Sequence, residues 1–226
     1  MKLTNIVPWG RSFKEYKEMF SLSESDLQKS ILGCGDGPAS FNAEFSCQGG
    51  NVVSVDPIYQ FGVKQLQQRI LAAGNQVIPQ MQLNKHRYLW NKISSIEQLS
   101  HIRMTAMAKF IDDYDLGKKQ GRYIEGSLPQ LSFTNQQFDL ALCSHYLFLY
   151  SAQISLQAHI DALRELCRVA REVRVYPLLC LDGEPYPHLA QVISALCRLN
   201  LSVTSAEVGY QFQKGASQML VIREKP

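Results

Sequence analysis

The stretch ILGCGDG, residues 31–37, constrains this chain more than any other: a short apolar run breaks into glycines at 33, 35 and 37. Glycine carries no Cβ and enters left-handed backbone freely. Placed between a strand and a helix, it lets a ligand approach main-chain N–H groups that a side chain would shield. A tight turn accounts for one or two such glycines; three at alternate positions point to a nucleotide-like ligand.

The flanking pattern places that loop in a sheet. Phe41 and Phe45 share one face of a short helix that Gly49-Gly50 stops, and NVVSVDP then makes a buried strand ended by Asp56-Pro57. Val63, Leu66, Ile70 and Ala73 recur at helical spacing, with Gly74-Asn75 as the expected close. Strand, loop, helix, strand, helix is the order of a parallel α/β sheet.

From 76 to 121 the spacings are helical without a clear strand, which predicts a helical insertion or lid. RYIEGSLP and FDLALCSHYLFLY follow as third and fourth strands, then an amphipathic helix over 152–170 and a fifth strand, EVRVYPLL. After a helix from Leu189 to about Asn200 come LSVTSAEV and SQMLVIRE, joined by a link too short for a crossover and therefore antiparallel. The expected fold is α/β: a three-layer, Rossmann-like, seven-stranded, mostly parallel sheet with a C-terminal antiparallel strand pair and a helical insertion. One domain over 1–226 is expected, with an N-terminal helical cap at 1–29 and the insertion at 76–121.

Composition narrows the class. With 226 residues, 46% hydrophobic and 19% charged, the chain can bury one sizeable core. A net charge of +3 is too small to argue for nucleic acid. The six cysteines are scattered without CxxC or Cys/His ligand spacing, as expected of reduced thiols in a cytoplasmic protein, and no metal is expected. Pro8 and Arg11 interrupt MKLTNIVPWGRSF, so no signal peptide is expected, and no run of 18 apolar residues suggests a membrane span.

Asp56 sharpens the ligand. In a doubly wound sheet, an acid ending the second strand lies beside the glycine loop, where its carboxylate can accept both hydroxyls of a ribose. A dinucleotide loop would need a third glycine at position 38, which is Pro38, so the spacing here is GxGxG.

The loop GCGDG, the strand end VDP and the segment GSLPQLSFTNQQFDLALCSH together resemble the class I S-adenosylmethionine-dependent methyltransferases, over about 30–75 and 122–224. The resemblance implies a cofactor, S-adenosyl-L-methionine, with S-adenosyl-L-homocysteine as product. By matched position, Gly33, Cys34 and Gly35 face the methionine part and Asp56 takes the ribose diol. Pro57 and Ile58 touch the adenine face, Ser127 and Leu128 its edge, and Cys143 offers main-chain contacts to the methionine amino group. Two positions depart from the family: Ile31 stands where an acid often anchors the ammonium, and Ser127 where an acid often meets the adenine. Similar proteins fold an N-terminal helix over the cofactor, which gives Arg11 a methionine carboxylate to pair with and Tyr16 a place in the lid.

His145, just past the fourth strand, is the candidate catalytic base. The cluster Asp112, Asp113 and Asp115 is expected to be a charged turn, and HRYLWNK (86–92) an apolar lid over a small substrate. CSHY stands where adenine and glutamine N-methyltransferases carry Asn-Pro-Pro-Tyr or Asp-Pro-Pro-Tyr. The expected function is methyl transfer to a small-molecule acceptor, with nucleic acid disfavoured, no membrane partner and the oligomeric state open. A nicotinamide-dependent oxidoreductase, a non-catalytic cofactor-binding protein and an RNA acceptor stay open as alternatives.

Overall fold

The computed structural model describes residues 7–225; the first six residues of the expected N-terminal cap and Pro226 lie outside them. Seven strands form one sheet: β1 (Ile31–Cys34), β2 (Val52–Val55), β3 (Tyr123–Ile124), β4 (Phe138–Ser144), β5 (Ala170–Tyr176), β6 (Leu201–Glu207) and β7 (Gln218–Glu224). Their order is β3-β2-β1-β4-β5-β7-β6. The first five are parallel, and β7 runs antiparallel to both β5 and β6. This is the sheet the resemblance implies.

Alternation along the strands builds two cores. Leu32, Ala141 and Val173 point to the face covered by α5 (Leu156–Val169) and α6 (Leu189–Cys197), meeting Leu163, Leu166, Val192 and Leu196. Ile31, Leu140 and Leu142 point the other way, against Phe13, Tyr16 and Met19 of α1 (Phe13–Met19) and Phe41 and Phe45 of α2 (Phe41–Cys47). Tyr16 and Phe41 stack with ring centroids 4.2 Å apart, fixing α1 on α2. α1 begins with a capping box in which Ser12 and Glu15 bind each other's backbone N–H groups.

The insertion differs from the sequence expectation in two places. α3 runs Val63–Leu83, straight through Gly74-Asn75, because Val77 and Met81 continue the buried stripe of Leu66, Ile70 and Ala73. α4 (Ile96–Lys119) buries Leu99, Arg103, Met107, Phe110 and Tyr114. The three aspartates therefore lie inside a helix rather than in a turn; Asp113 is held by two guanidinium bonds from Arg122, both 2.7 Å, and by the Tyr123 hydroxyl.

β3 pairs over two residues only, and β4 stops at Ser144 because His145 turns into left-handed backbone, φ 51°. The HYLFLY run is thus a series of turns leading toward α5 instead of strand. Among the described residues, no helix is long and apolar enough to cross a membrane, and no group of three or more His, Cys, Asp or Glu is placed to hold a metal ion.

Candidate functional site

The strand order reverses between β1 and β4, and the carboxyl ends of these strands open on a cavity of about 380 Å³. Such a switch point is where an open α/β sheet offers a crevice, and the volume falls within the range of small-molecule sites. Nine of the eleven residues singled out from the sequence line it: Arg11, Cys34, Gly35, Asp56, Pro57, Ile58, Ser127, Leu128 and His145. Gly33 and Cys143 do not. Cys143 is buried in the sheet between β1 and β5, and the wall at the end of β4 is formed by Ser144 and His145 instead.

Gly33 is bare for an internal reason. A Cβ there would lie 2.6 Å from the Asp36 Cγ and 2.8 Å from its Oδ1, so the missing side chain makes room for a carboxyl group of the same loop. Asp36 folds back into that slot and accepts hydrogen bonds from the Tyr16 hydroxyl (2.7 Å) and the Ser54 hydroxyl (2.6 Å). Burial raises its pKa to about 7, against the two hydroxyls that favour the ion; nearby Asp56 raises it further. Asp36 lines the cavity, yet no cation is paired with it among the described residues. Gly35 (φ 70°) and Gly37 (φ 55°) do need left-handed backbone, and Gly35 lies against the ring of Tyr146.

Asp56 is held by the turns around it. Its Oδ2 accepts the Gly37 N–H at 2.8 Å and its Oδ1 the Ile58 N–H at 2.9 Å, while burial raises its pKa to about 6. Each oxygen keeps a further lone pair, so the carboxylate can still accept two hydroxyl groups. Ile58 and Leu128, half-buried apolar side chains following β2 and β3, line the cavity near it.

The opposite wall comes from α1, the insertion and the C-terminal strands. Arg103 of α4 is buried and binds both oxygens of Glu15 through Nη1, at 2.6 and 2.7 Å, and the Tyr210 hydroxyl through Nη2. The pair holds Glu15 down at about 2. Among the described residues Arg11 lacks such a partner: Nη1 donates to the Trp9 carbonyl at 3.1 Å, and Nε is buried without an acceptor. His145 has Nδ1 2.9 Å from the Ser144 hydroxyl. Burial, and then the charges of Arg11 and Arg103, push its pKa well below the ordinary histidine value, so the ring is neutral. Tyr88 of the HRYLWNK segment stacks on Phe212 at 5.1 Å, and both line the cavity.

Four contributors escaped sequence reasoning. Asp36 was visible as the one charged residue inside the glycine run. Arg103 was hidden because Met104 beside it looked like the core residue. Tyr176 and Tyr210 give no local signal; only the fold brings the end of β5 and the β6–β7 connection to the cavity.

No family model matches the chain. A protein of Methanocaldococcus jannaschii described as uncharacterized is 29% identical over 224 residues, spanning 99% of this chain and 98% of its own. Among solved structures, a TehB-like SAM-dependent methyltransferase from Corynebacterium glutamicum is similar with TM-score 0.48 and 14% identity, covering 93% of this chain and 87% of its own. A protein of Pyrococcus horikoshii gives TM-score 0.48 at 12% identity over 94% and 91% of the two chains. Magnesium protoporphyrin IX methyltransferase from Synechocystis, solved with bound SAH, gives 0.46 at 11% over 89% and 77%.

Proposed function

We propose that this chain is an S-adenosylmethionine-dependent methyltransferase acting on a small molecule. The observation that carries the reading is Asp56: a carboxylate at the end of β2, fixed by two main-chain N–H bonds, lining the cavity with acceptor capacity for a sugar diol. Ile58 and Leu128 supply apolar surface for an adenine ring, with Ser127 at its edge. Asp36, a carboxyl without a cationic partner, suits the positively charged end of the donor and compensates for the apolar Ile31.

The bound donor supplies a methyl group already activated on a sulfonium. The chain's own task is to hold the acceptor in line and to keep water out. His145 serves that task as a neutral hydrogen-bonding group. A proton taken from an acceptor would create an imidazolium near Arg11 and Arg103, which the site opposes.

Differential scanning fluorimetry tests the reading. Adenosylhomocysteine at 100 times its dissociation constant stabilises a single-site protein by about 2.7 kcal/mol, giving a rise in melting temperature of a few degrees, and NAD should give none. A rise with NAD alone would hand the site to the oxidoreductase reading.

A further inference from the structure

Four charged side chains line the cavity: Asp36, Asp56, Arg11 and Arg103. They fall into two groups. No arginine acts on Asp36 or Asp56 directly, whereas the Arg11 charge acts on His145, Tyr88, Tyr150, Tyr176 and Tyr210, and reaches Glu15 and the Tyr16 hydroxyl that binds Asp36. The cation thus belongs to an aromatic half of the cavity, where Trp9 and Phe212 also stand. Arg103 is neutralised in place by Glu15. Arg11 shares only the field of that same Glu15: among the described residues its buried Nε has no acceptor, and a guanidinium cannot shed its charge to relieve the strain of burial. An amine acceptor would meet that cation with no free carboxylate beside it.

Resting on the methyltransferase reading, we propose that the methyl acceptor is a small aromatic acid that binds as its carboxylate anion, with Arg11 as counter-ion. An anionic oxygen needs no base, in keeping with a histidine that the site holds neutral. The carboxylate oxygen attacks the methyl carbon and an O–C bond forms. The C–S bond breaks with its electron pair left on sulfur, giving a methyl ester and a neutral thioether. No proton is released. Two opposite charges vanish in the step, and an aromatic, water-poor wall solvates the less polar transition state better than the separated ions.

The anion that Arg11 lacks has a second source, the carboxylate of the donor itself, and the experiment separates the two. Benzoate, 3-phenylpropionate and indole-3-acetate, each with its neutral amide, are titrated calorimetrically into the protein saturated with adenosylhomocysteine, alongside benzylammonium. At least one acid should bind tenfold or more tighter than its amide, and benzylammonium should bind more weakly than that acid. Arg11→Gln should abolish the preference while leaving adenosylhomocysteine within twofold, and Arg11→Lys should restore part of it. The inference falls if no acid outbinds its amide, if benzylammonium binds best, or if Arg11→Gln weakens adenosylhomocysteine and leaves the acids unchanged. Failure of adenosylhomocysteine to bind at all overturns the methyltransferase reading itself, before any acid is added.

Discussion

Gly33→Ala puts the account of the glycine loop at risk most directly. The new Cβ would press on the Asp36 carboxyl group, 2.6 Å from its Cγ, while β1 is pinned on both sides by β2 and β4 and cannot yield. Asp36 must therefore leave its slot and give up the bonds from Tyr16 and Ser54. Losing them leaves the buried Tyr16 and Ser54 hydroxyls without that acceptor, at about 1–3 kcal/mol each, so the substitution should destabilise by about 2–6 kcal/mol. Urea denaturation, with a slope of about 3 kcal/mol/M, would register this as a midpoint lower by about 1–2 M. Gly37→Ala is the control: a Cβ there meets nothing nearer than 3.9 Å and pays for left-handed backbone alone, about 1–2 kcal/mol. In Asp36→Ala the slot is empty, so adding Gly33→Ala should cost little further, giving a coupling close to the whole single-mutant effect. Additive effects, or a Gly33→Ala protein as stable as Gly37→Ala, would refute the slot.

The same carboxyl group makes stability depend on pH. The folded pKa of Asp36, about 7, lies above the ordinary 3.8, so between those values the folded state binds more protons and stability falls as pH rises; Asp36→Asn should flatten that fall in melting curves taken from pH 4 to 8. His145 works in the opposite sense, since its depressed pKa raises stability as pH climbs toward 6.5, and His145→Gln should steepen the net decline. Arg103→Met leaves Glu15 charged and buried, which should cost about 3–5 kcal/mol in urea denaturation, and adding Glu15→Leu should recover most of it. Asp56→Ala should weaken adenosylhomocysteine at least a hundredfold by calorimetry, because two bonds to a charged acceptor are lost at about 1.5–3 kcal/mol each.

Much of the architecture was legible because it rests on local chemistry. The alternating Ile31-Leu32 and Leu140-Ala141-Leu142 segments, the Phe41/Phe45 face and the short final connection are properties of neighbouring residues, and the sheet follows from them. Helix ends were harder: Gly74-Asn75 resembles a stop, but burial of Val77 and Met81 outweighs the small cost of one helical glycine. Asp56 was legible from its place at a strand end. Gly33 stands behind Asp36 rather than on the cavity wall, and a bare backbone looks the same in sequence whether the space serves a ligand or an aspartate three residues on. Arg103 and the tyrosines of the cavity wall depend on contacts between residues as far apart as 15 and 210, which no local pattern encodes.

One consequence follows from two adjacent residues of α1. Tyr16 reaches down to the glycine loop through Asp36, while Glu15 reaches across to the insertion through Arg103. A single seven-residue helix therefore acts as a spacer bar between the sheet and its cover, and the reach of its two side chains sets the gauge of the chamber. Chains built on this plan can widen or narrow what they accommodate by changing those two positions, without altering a strand.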